Sequence, residues 1–276
     1  FENYLFDSWT LNGNVVSNEK NYSFVAEEDA KLIANFKSEV NVDNYETILT
    51  TYDLQSNDLL ANRMYQLKDG SVAVVTTMSR STNESFPDRG TGYNFFDGEN
   101  WDEISESRIE DIRTGWPSIA PYGPEGEILV SHSNGLSYYT REKAGEGEWD
   151  GPHAIPNPED IDEVVKGEGN TLSWARIVTT GENNNVLHVF ANASGDTNMA
   201  SYYLRTEDLQ EWDIQFSPLE MDDKHMNCYN ADGYAVSANG DNIAVLYCDR
   251  YFYHDVMLYE SNDAGKTWES RMVWES

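Results

Sequence analysis

The sequence predicts an all-β protein. Short runs rich in Val, Ile, Tyr, Phe and Thr recur between Gly, Asn and Asp turns, and helical periodicity is nearly absent. Hydrophobic residues make up 39% of the chain and aromatic residues 13%, which is enough for a sizeable core. From the length of 276 residues we expect one large β domain or two smaller domains.

Residues 1–40 are predicted to form part of a separate unit. Their hydrophobic runs are short and alternate with polar turns, and Trp9, Phe24 and Phe36 are expected to pack on one face. The segment resembles the last part of a small β-rich repeat that is common in bacterial surface proteins. Because the chain begins at Phe1, without an initiator Met or a signal segment, we expect a processed chain or part of a longer polypeptide.

The second predicted domain covers residues 45–276 and contains four segments that share one plan. Each segment has a strand, a tight polar turn, a second strand, a variable loop, a third strand and a turn that ends in tryptophan. These tryptophans are Trp101, Trp149, Trp212 and Trp268, which are 48, 63 and 56 residues apart (149 − 101, 212 − 149 and 268 − 212). Propeller blades recur at this interval, so we predict a β-propeller with four countable blades and a closing strand at Thr47–Tyr52.

The sharpest local pattern lies in residues 261–268. It matches the Asp-box pattern SxDxGxxW at Ser261, Asp263, Gly265 and Trp268. In such a turn the carboxylate and the hydroxyl accept hydrogen bonds from turn amides, glycine supplies a positive φ, and tryptophan packs between sheets. These four residues are therefore predicted to be structural, and Asp263 is not a candidate catalytic acid.

Looser copies of this turn occupy residues 96–101 and 206–212. With them, the second domain resembles the sialidase, or neuraminidase, superfamily of β-propellers with Asp-box, or BNR, repeats. Residues 88–94 and 113–118 also resemble sialidase-like regions of large secreted Bacteroidetes proteins, many of them exported by a type IX system. The resemblance implies a secreted or cell-surface location, with a glycan, a surface protein and the type IX secretion machinery as candidate partners. Members usually have six blades, so it also implies an incomplete or unusually small propeller.

One face of the predicted propeller is expected to carry the functional site. In an antiparallel blade, the loops between the second and third strands and the connections between blades lie on the face opposite the Asp boxes. The residues predicted there are Arg63, Asp88, Arg89, Arg113, Trp116, His132, Arg176, Asn230, Asp249, Arg250 and Tyr251. Arginines and aromatic rings suit an acidic sugar. Trp116 and Trp174 begin first strands, so we expect them to pack in the core, with sugar stacking as the alternative.

Sialidases use three arginines to hold the substrate carboxylate, because guanidinium groups bind carboxylates through two hydrogen bonds. The resemblance implies that Arg63 is the first of these, although Tyr65 replaces the proline of the family motif. It also implies that Asp88 is the general acid/base, with a raised pKa if it is partly buried. The alternative is a salt bridge between Arg63 and Asp88. For Arg113 and Arg176 we expect a structural role between blades, with ligand binding as the alternative.

The tyrosine nucleophile of the family and its activating glutamate come from late blades, and four blades contain no counterpart. We therefore expect a noncatalytic module of a larger exported polypeptide that binds glycan or protein. The alternative is a sialidase-type glycoside hydrolase whose remaining blades and nucleophile lie beyond Ser276.

The net charge and the sequence motifs argue against several other kinds of partner and site. The formal net charge is −31, from 18 Lys+Arg against 49 Asp+Glu, so nucleic acid and anionic membrane surfaces are not expected partners. The sequence contains no apolar run long enough to insert in a membrane. We predict no cofactor and no metal site. The many acidic loops leave Ca²⁺ open, but no 12-residue ligand pattern marks a specific site.

The two cysteines, Cys228 and Cys248, are too few for a disulfide scaffold. Both are predicted on the candidate-site face of one hairpin. The register about Gly240 puts Cys248 nearest Asp232, so a disulfide requires residues 229–231 to bend back. Such a bond suits an oxidising compartment.

Overall fold

A computed structural model of the chain describes residues 4–25, 29–38, 45–55, 62–194, 199–216, 233–248 and 256–275. The chain divides into two compact units, Phe1–Tyr45 and Glu46–Ser276. Within the described residues both units consist of β-strands, and the one helix is the short α1, Ile161–Val165. The prediction of an all-β protein is confirmed.

The first unit is a three-stranded antiparallel sheet in the order β2-β1-β3. Its strands are β1 (Tyr4–Leu11), β2 (Asn14–Ser17) and β3 (Leu32–Ser38). The β1–β2 turn has positive φ at Asn12 and Gly13, the pattern that an Asn-Gly hairpin favours. Phe6 contacts both Trp9 and Phe36, at ring-centroid distances of 5.5 and 6.0 Å.

The second unit contains, in its described part, four antiparallel sheets in chain order, each a meander of consecutive strands. Sheet 1 is β4 (Met64–Gln66), β5 (Val72–Met78) and β6 (Gly90–Phe96). Sheet 2 is β7 (Gly115–Tyr122), β8 (Gly126–Ser133), β9 (Gly135–Arg141) and β10 (Asp150–Ala154). Sheet 3 is β11 (Ser173–Thr180), β12 (Val186–Ser194), β13 (Met199–Thr206) and β14 (Asp213–Phe216). Sheet 4 is β15 (Tyr234–Asn239), β16 (Asn242–Cys248), β17 (Val256–Ser261) and β18 (Glu269–Trp274).

The first strands of the four sheets meet around one axis. Strand β7 packs against β4 and β11, and β11 packs against β15. Asn62, which precedes β4, contacts all three other sheets: its carbonyl accepts the Ile119 amide (2.8 Å), and its Nδ2 donates to the carbonyls of Ile177 (3.0 Å) and Val236 (3.3 Å). This arrangement is a β-propeller, and we call the sheets blades 1 to 4.

Hydrophobic side chains fill the spaces between successive blades. Strand β8 is buried on both faces, and its residues alternate between two neighbours. Leu129 packs with Val75 of blade 1, whereas Ile128 and Val130 pack with Leu187 of blade 3. A third cluster joins blade 3 to blade 4 and includes Phe190, Tyr203, Tyr234, Tyr247 and Tyr259. Because side chains along a strand alternate between its two faces, a central blade packs against both of its neighbours. The four sheets therefore form a continuous stack.

Blade 1 has three described strands, and the predicted strand at Thr47–Tyr52 is wrong. In that segment only Ile48 forms an isolated bridge, with Ser105. The edge of β6 is occupied by the irregular segment that follows it. The Asp102 and Ile109 amides donate to the carbonyls of Phe95 (2.8 Å) and Thr91 (2.9 Å). The buried Glu110 carboxylate accepts hydrogen bonds from the Thr91 amide and hydroxyl, both at 2.6 Å. Because this amide is already bonded, a regular fourth strand cannot pair there.

The turn at residues 261–268 is organised by side-chain acceptors. Asp263 accepts hydrogen bonds from the amides of Lys266 (3.1 Å) and Thr267 (2.9 Å), and Ser261 Oγ accepts the Gly265 amide (2.9 Å). Gly265 has a φ of +78°, and a Cβ there would collide with the Tyr203 hydroxyl. Asp97 and Asp208 accept amide hydrogen bonds in the corresponding turns of blades 1 and 3. All three carboxylates therefore accept hydrogen bonds from turn amides that would otherwise bond to water.

Replacing Asp263 with Asn is expected to remove a pH-dependent part of the stability. Hydrogen bonds from the Thr267 hydroxyl and amide lower the pKa of Asp263 from 3.8 to about 2. A lowered folded-state pKa stabilises the protein above the unfolded-state pKa, and this stabilisation is lost as the pH falls from about 4 to about 2. In urea unfolding, the advantage of the wild type over Asp263→Asn should shrink over that range. A difference that stays constant with pH would contradict the assignment.

Candidate functional site

Residues from all four blades gather at the end of the axis where β7 and β11 begin. We call this region the loop end. It comprises Tyr52, Arg63, Arg89, Arg113, Trp116, His132, Trp174, Arg176 and Tyr234. Six of the predicted site residues therefore lie there, together with Tyr52, Trp174 and Tyr234, which complete the aromatic part of the cluster.

Trp116 and Trp174 occupy equivalent positions in blades 2 and 3. Each has a positive φ, +48° and +50°, at a break in strand register. This backbone region is costly for a bulky residue. The conformation is held by side chains of the preceding blade: the Trp116 amide donates to Thr77 Oγ1 (3.2 Å), and the Trp174 amide donates to His132 Nδ1 (3.1 Å). Both indole rings are thereby fixed at the loop end.

His132 lies between the two tryptophans. Its ring stacks on Trp116, with centroids 5.7 Å apart and planes at 12°, and meets the edge of Trp174 at 5.6 Å. Burial lowers the pKa of His132 to about 4, and the charges of Arg89 and Arg113 lower it further in the same direction. Because Nδ1 accepts the Trp174 amide hydrogen, the neutral ring carries its own hydrogen on Nε2. His132 is therefore an uncharged spacer between rings.

Arg63 and Arg176 bring two positive charges together from blades 1 and 3. Burial and the Arg176 charge lower the pKa of Arg63 to about 10. Arg63 donates to the side-chain oxygen (3.1 Å) and the carbonyl (2.8 Å) of Gln55, and its Nε is buried without a hydrogen-bond acceptor. Arg176 is 3% exposed and lies over the Tyr234 ring of blade 4, 4.0 Å from the centroid. The two side chains form one half of a cationic cluster.

Arg89 and Arg113 form the other half. Arg89 lies over Trp116 (4.8 Å) and Tyr52 (5.4 Å), and its Nε donates to the Thr114 carbonyl (2.8 Å). Burial and the Arg113 charge lower the pKa of Arg89. Arg113 is exposed, with its Nε donating to a backbone carbonyl in the 85–86 loop. Because His132, Arg89 and Tyr52 all contact the Trp116 ring, the packing role expected for Trp116 is the better supported one.

Asp88 is positioned away from Arg63. Its carboxylate accepts hydrogen bonds from Ser79 Oγ (2.5 Å) and from the amides of Arg80 (2.8 Å) and Ser81 (3.0 Å). It lines a separate cavity of about 330 Å³ with Arg108. Burial raises the pKa of Asp88, but these hydrogen bonds outweigh burial and the net pKa lies below the usual value. The shift is opposite to the predicted one, and the described contacts hold a loop instead of forming the predicted salt bridge.

Several predicted residues lie outside the described ranges: Cys228, Asn230, Asp249, Arg250 and Tyr251. Cys248 is half-buried at the end of β16. Its amide donates to the Gly233 carbonyl, so the predicted register opposite Asp232 is wrong by one residue. The turn has two central residues, Gly240 and Asp241, instead of one. A disulfide between the two cysteines stays a prediction.

Within the part of the chain that the structure describes, no cluster of three or more His, Cys, Asp or Glu side chains could hold a metal ion. None of the described helices is both long and apolar enough to cross a membrane.

No protein-family model and no curated protein matches the chain. A structure of a protein of unknown function from Dyadobacter fermentans aligns with a TM-score of 0.52 and 12% identity, over 79% of this chain and 70% of that chain. The likeness concerns the fold. An α-L-arabinofuranosidase from Podospora anserina aligns with a TM-score of 0.49 and 12% identity, over 80% and 70% of the two chains. The NanB sialidase from Streptococcus pneumoniae aligns with a TM-score of 0.45 and 12% identity, over 88% and 58%.

Proposed function

We propose that the propeller is a noncatalytic module that binds an acidic glycan at the loop end. The observation that carries this proposal is the convergence of Arg63 and Arg176 beside a second arginine pair, in a chain with a net charge of −31. Adjacent like charges raise the free energy of the site, and an anion that binds between them lowers it. In an acidic protein such a site is a local positive region that attracts anionic ligands.

The surroundings of the arginines suit a sugar carboxylate. Arg63 Nη1 already donates to a planar oxygen acceptor, the Gln55 carboxamide, which is the type of contact that a carboxylate would make. Trp174 is half-buried and lies two residues before Arg176 on β11, and its indole ring is the proposed contact for a pyranose. The proposed site therefore combines charge for the acidic group with an aromatic surface for the ring.

The proposal extends to the biological setting. It places the chain among the sialidase-like propellers with Asp-box repeats, exported to the cell surface or medium, with type IX secretion as the route. This extension rests on the sequence resemblance. Binding needs no cofactor, nucleic acid or membrane insertion. The alternative, a sialidase-type hydrolase with further blades beyond Ser276, gains no support from Asp88, because its lowered pKa is unsuited to a general acid.

Arg63→Met is expected to weaken binding of an acidic oligosaccharide by about 1.5 to 3 kcal/mol, the range for losing a hydrogen bond to a charged group. The probe is an oligosaccharide ending in a sialic acid, compared by calorimetry with its carboxyl-reduced counterpart, which should bind more weakly to the wild type. Arg271→Met is the matched control, because Arg271 is an exposed arginine on β18 that pairs with Glu260.

Since Arg63 also bonds to Gln55, thermal unfolding must show that both variants are folded at the temperature of the titration. Equal affinity for the acidic and the reduced oligosaccharide would contradict the proposal. So would an equal loss of affinity in Arg271→Met, because that result would assign the effect to net charge.

A further inference from the structure

A second cavity lies at the opposite end of the same axis. Its volume is about 330 Å³, and the first strands of all four blades contribute to its walls. Ile119, Ile177 and Val236 come from β7, β11 and β15, and Met64 comes from β4. The turns that follow β11 and β15 form its rim. The cavity therefore lies on the face that carries the Asp263 turn.

This cavity is distinct from the loop end. On β11, Arg176 belongs to the loop end and the next residue, Ile177, lines the cavity. Asn62 lies at the boundary, because its Nδ2 donates to the carbonyls of both Ile177 and Val236. A ligand in one site therefore does not occupy the other.

The cavity is preformed by hydrogen bonds between blades. Thr179 Oγ1 of blade 3 donates to the Pro121 carbonyl of blade 2 at 2.7 Å. The Gly181 amide of blade 3 donates to Asp241 Oδ1 of blade 4 at 3.2 Å. Since these contacts fix the walls without a ligand, binding does not require the blades to be ordered first.

The lining of the cavity contains no charged residue, although 24% of the chain is charged. The side chains of Ile119, Ile177 and Val236 are buried between the blades, so their strands present mainly backbone to the cavity. Its exposed or half-buried apolar side chains are Met64, Pro121 and Ala238, and the rim carries the side-chain amides and hydroxyl of Asn184, Asn239 and Ser237. An anion would be desolvated there close to the Asp241 carboxylate, which is unfavourable. A pyranose has apolar C–H faces and neutral hydroxyl groups at its edge, and one or two rings suit a cavity at the small end of the range for ligand sites.

We infer that this axial cavity is a binding site for a neutral sugar residue. It goes beyond the proposed acidic-glycan site, from which it differs in position and in charge. The ring packs on the side chains of Met64 and Ala238, and its hydroxyl groups exchange hydrogen bonds with the strand backbone and with the asparagine and serine side chains at the rim. One propeller thereby has two sugar sites of different chemistry at the two ends of its axis.

The test uses methyl glycosides of neutral hexoses and pentoses as probes, with saturation-transfer NMR to detect binding and calorimetry to measure it. Ser237→Trp places a large ring in the cavity from an exposed position of β15 and should weaken binding by about tenfold or more. Ala235→Trp is the matched control, since Ala235 is exposed on the same strand outside the cavity. It should bind like the wild type.

Neutral-glycoside binding should also be insensitive to salt, because it involves no ion pair, and it should survive Arg63→Met. Failure of every neutral glycoside to bind would overturn the inference. An equal loss of binding in Ser237→Trp and Ala235→Trp would overturn it as well. Neither result bears on the acidic-oligosaccharide titration, so the two proposals fail separately.

Discussion

Arg141→Met is expected to lower the free energy of unfolding by about 3 to 5 kcal/mol, the usual effect of leaving one partner of a buried ion pair without its counterion. Glu127 is fully buried, and Arg141 Nε lies 2.5 Å from its Oε1. The same carboxylate accepts the Tyr65 hydroxyl of blade 1 at 2.6 Å, so it joins blades 1 and 2. Without Arg141, the charged Glu127 carboxylate stays buried among neutral hydrogen-bond donors. Urea unfolding at neutral pH measures the loss.

The double variant Glu127→Gln with Arg141→Met separates charge from packing. Glutamine removes the buried charge, so the double variant should be more stable than Arg141→Met alone. The Arg141 guanidinium also lies over the rings of Tyr93 (4.3 Å) and Trp149 (4.6 Å), and methionine replaces part of that contact. A loss below about 1 kcal/mol for Arg141→Met would show that the pair resembles an exposed salt bridge.

Trp268→Ala should destabilise the protein by about 3 kcal/mol, the lower end of the range for removing a large buried aromatic side chain, because Trp268 is only partly buried. Its ring meets Tyr203 at 5.2 Å and Phe190 at 6.1 Å, both edge to face, so it joins blade 3 to blade 4. Thermal and urea unfolding measure the effect. Binding of the acidic oligosaccharide to the folded variant should be unchanged.

Trp274→Ala is the matched control, because Trp274 is 63% exposed on the outer strand of the same blade. It should change stability by less than about 0.5 kcal/mol. Equal losses in the two tryptophan variants would show that the Trp268 contacts do not stabilise the blade interface. A loss of oligosaccharide binding in folded Trp268→Ala would contradict the structural role of this turn.

The sequence predicts the architecture well where signals are local. Strand period, turn residues and the spacing of the turn tryptophans identify the blades, because each blade is built from neighbouring segments. The prediction fails at the edge of β6, where an irregular segment takes the place of a strand. Glu110 of that segment accepts the Thr91 amide, and no pattern in residues 101–111 predicts this contact. The register at Gly240 fails for a related reason, because a turn of one or two central residues fits the same Asn-Gly-Asp sequence.

The candidate site is predictable in part. Topology places Arg63 and Arg176 at the same end of the axis, and the structure brings their charges together. Their detailed partners are not predictable, because Gln55 belongs to an irregular segment and reaches Arg63 through contacts that no periodicity encodes. Asp88 was expected beside Arg63, but nearby amides of its own loop satisfy it first, since local hydrogen bonds cost less chain entropy.

The position of Asn62 has a consequence for the order of folding. Its hydrogen bond to Val236 joins residues 174 positions apart, whereas the strands within each blade pair with their immediate neighbours. Bringing these distant residues together costs more chain entropy than pairing neighbouring strands. This cost is compensated only after the intervening sheets have stacked. We therefore expect the blades to form early and locally, with the Asn62 side chain adding its contact between the first and the fourth blade later.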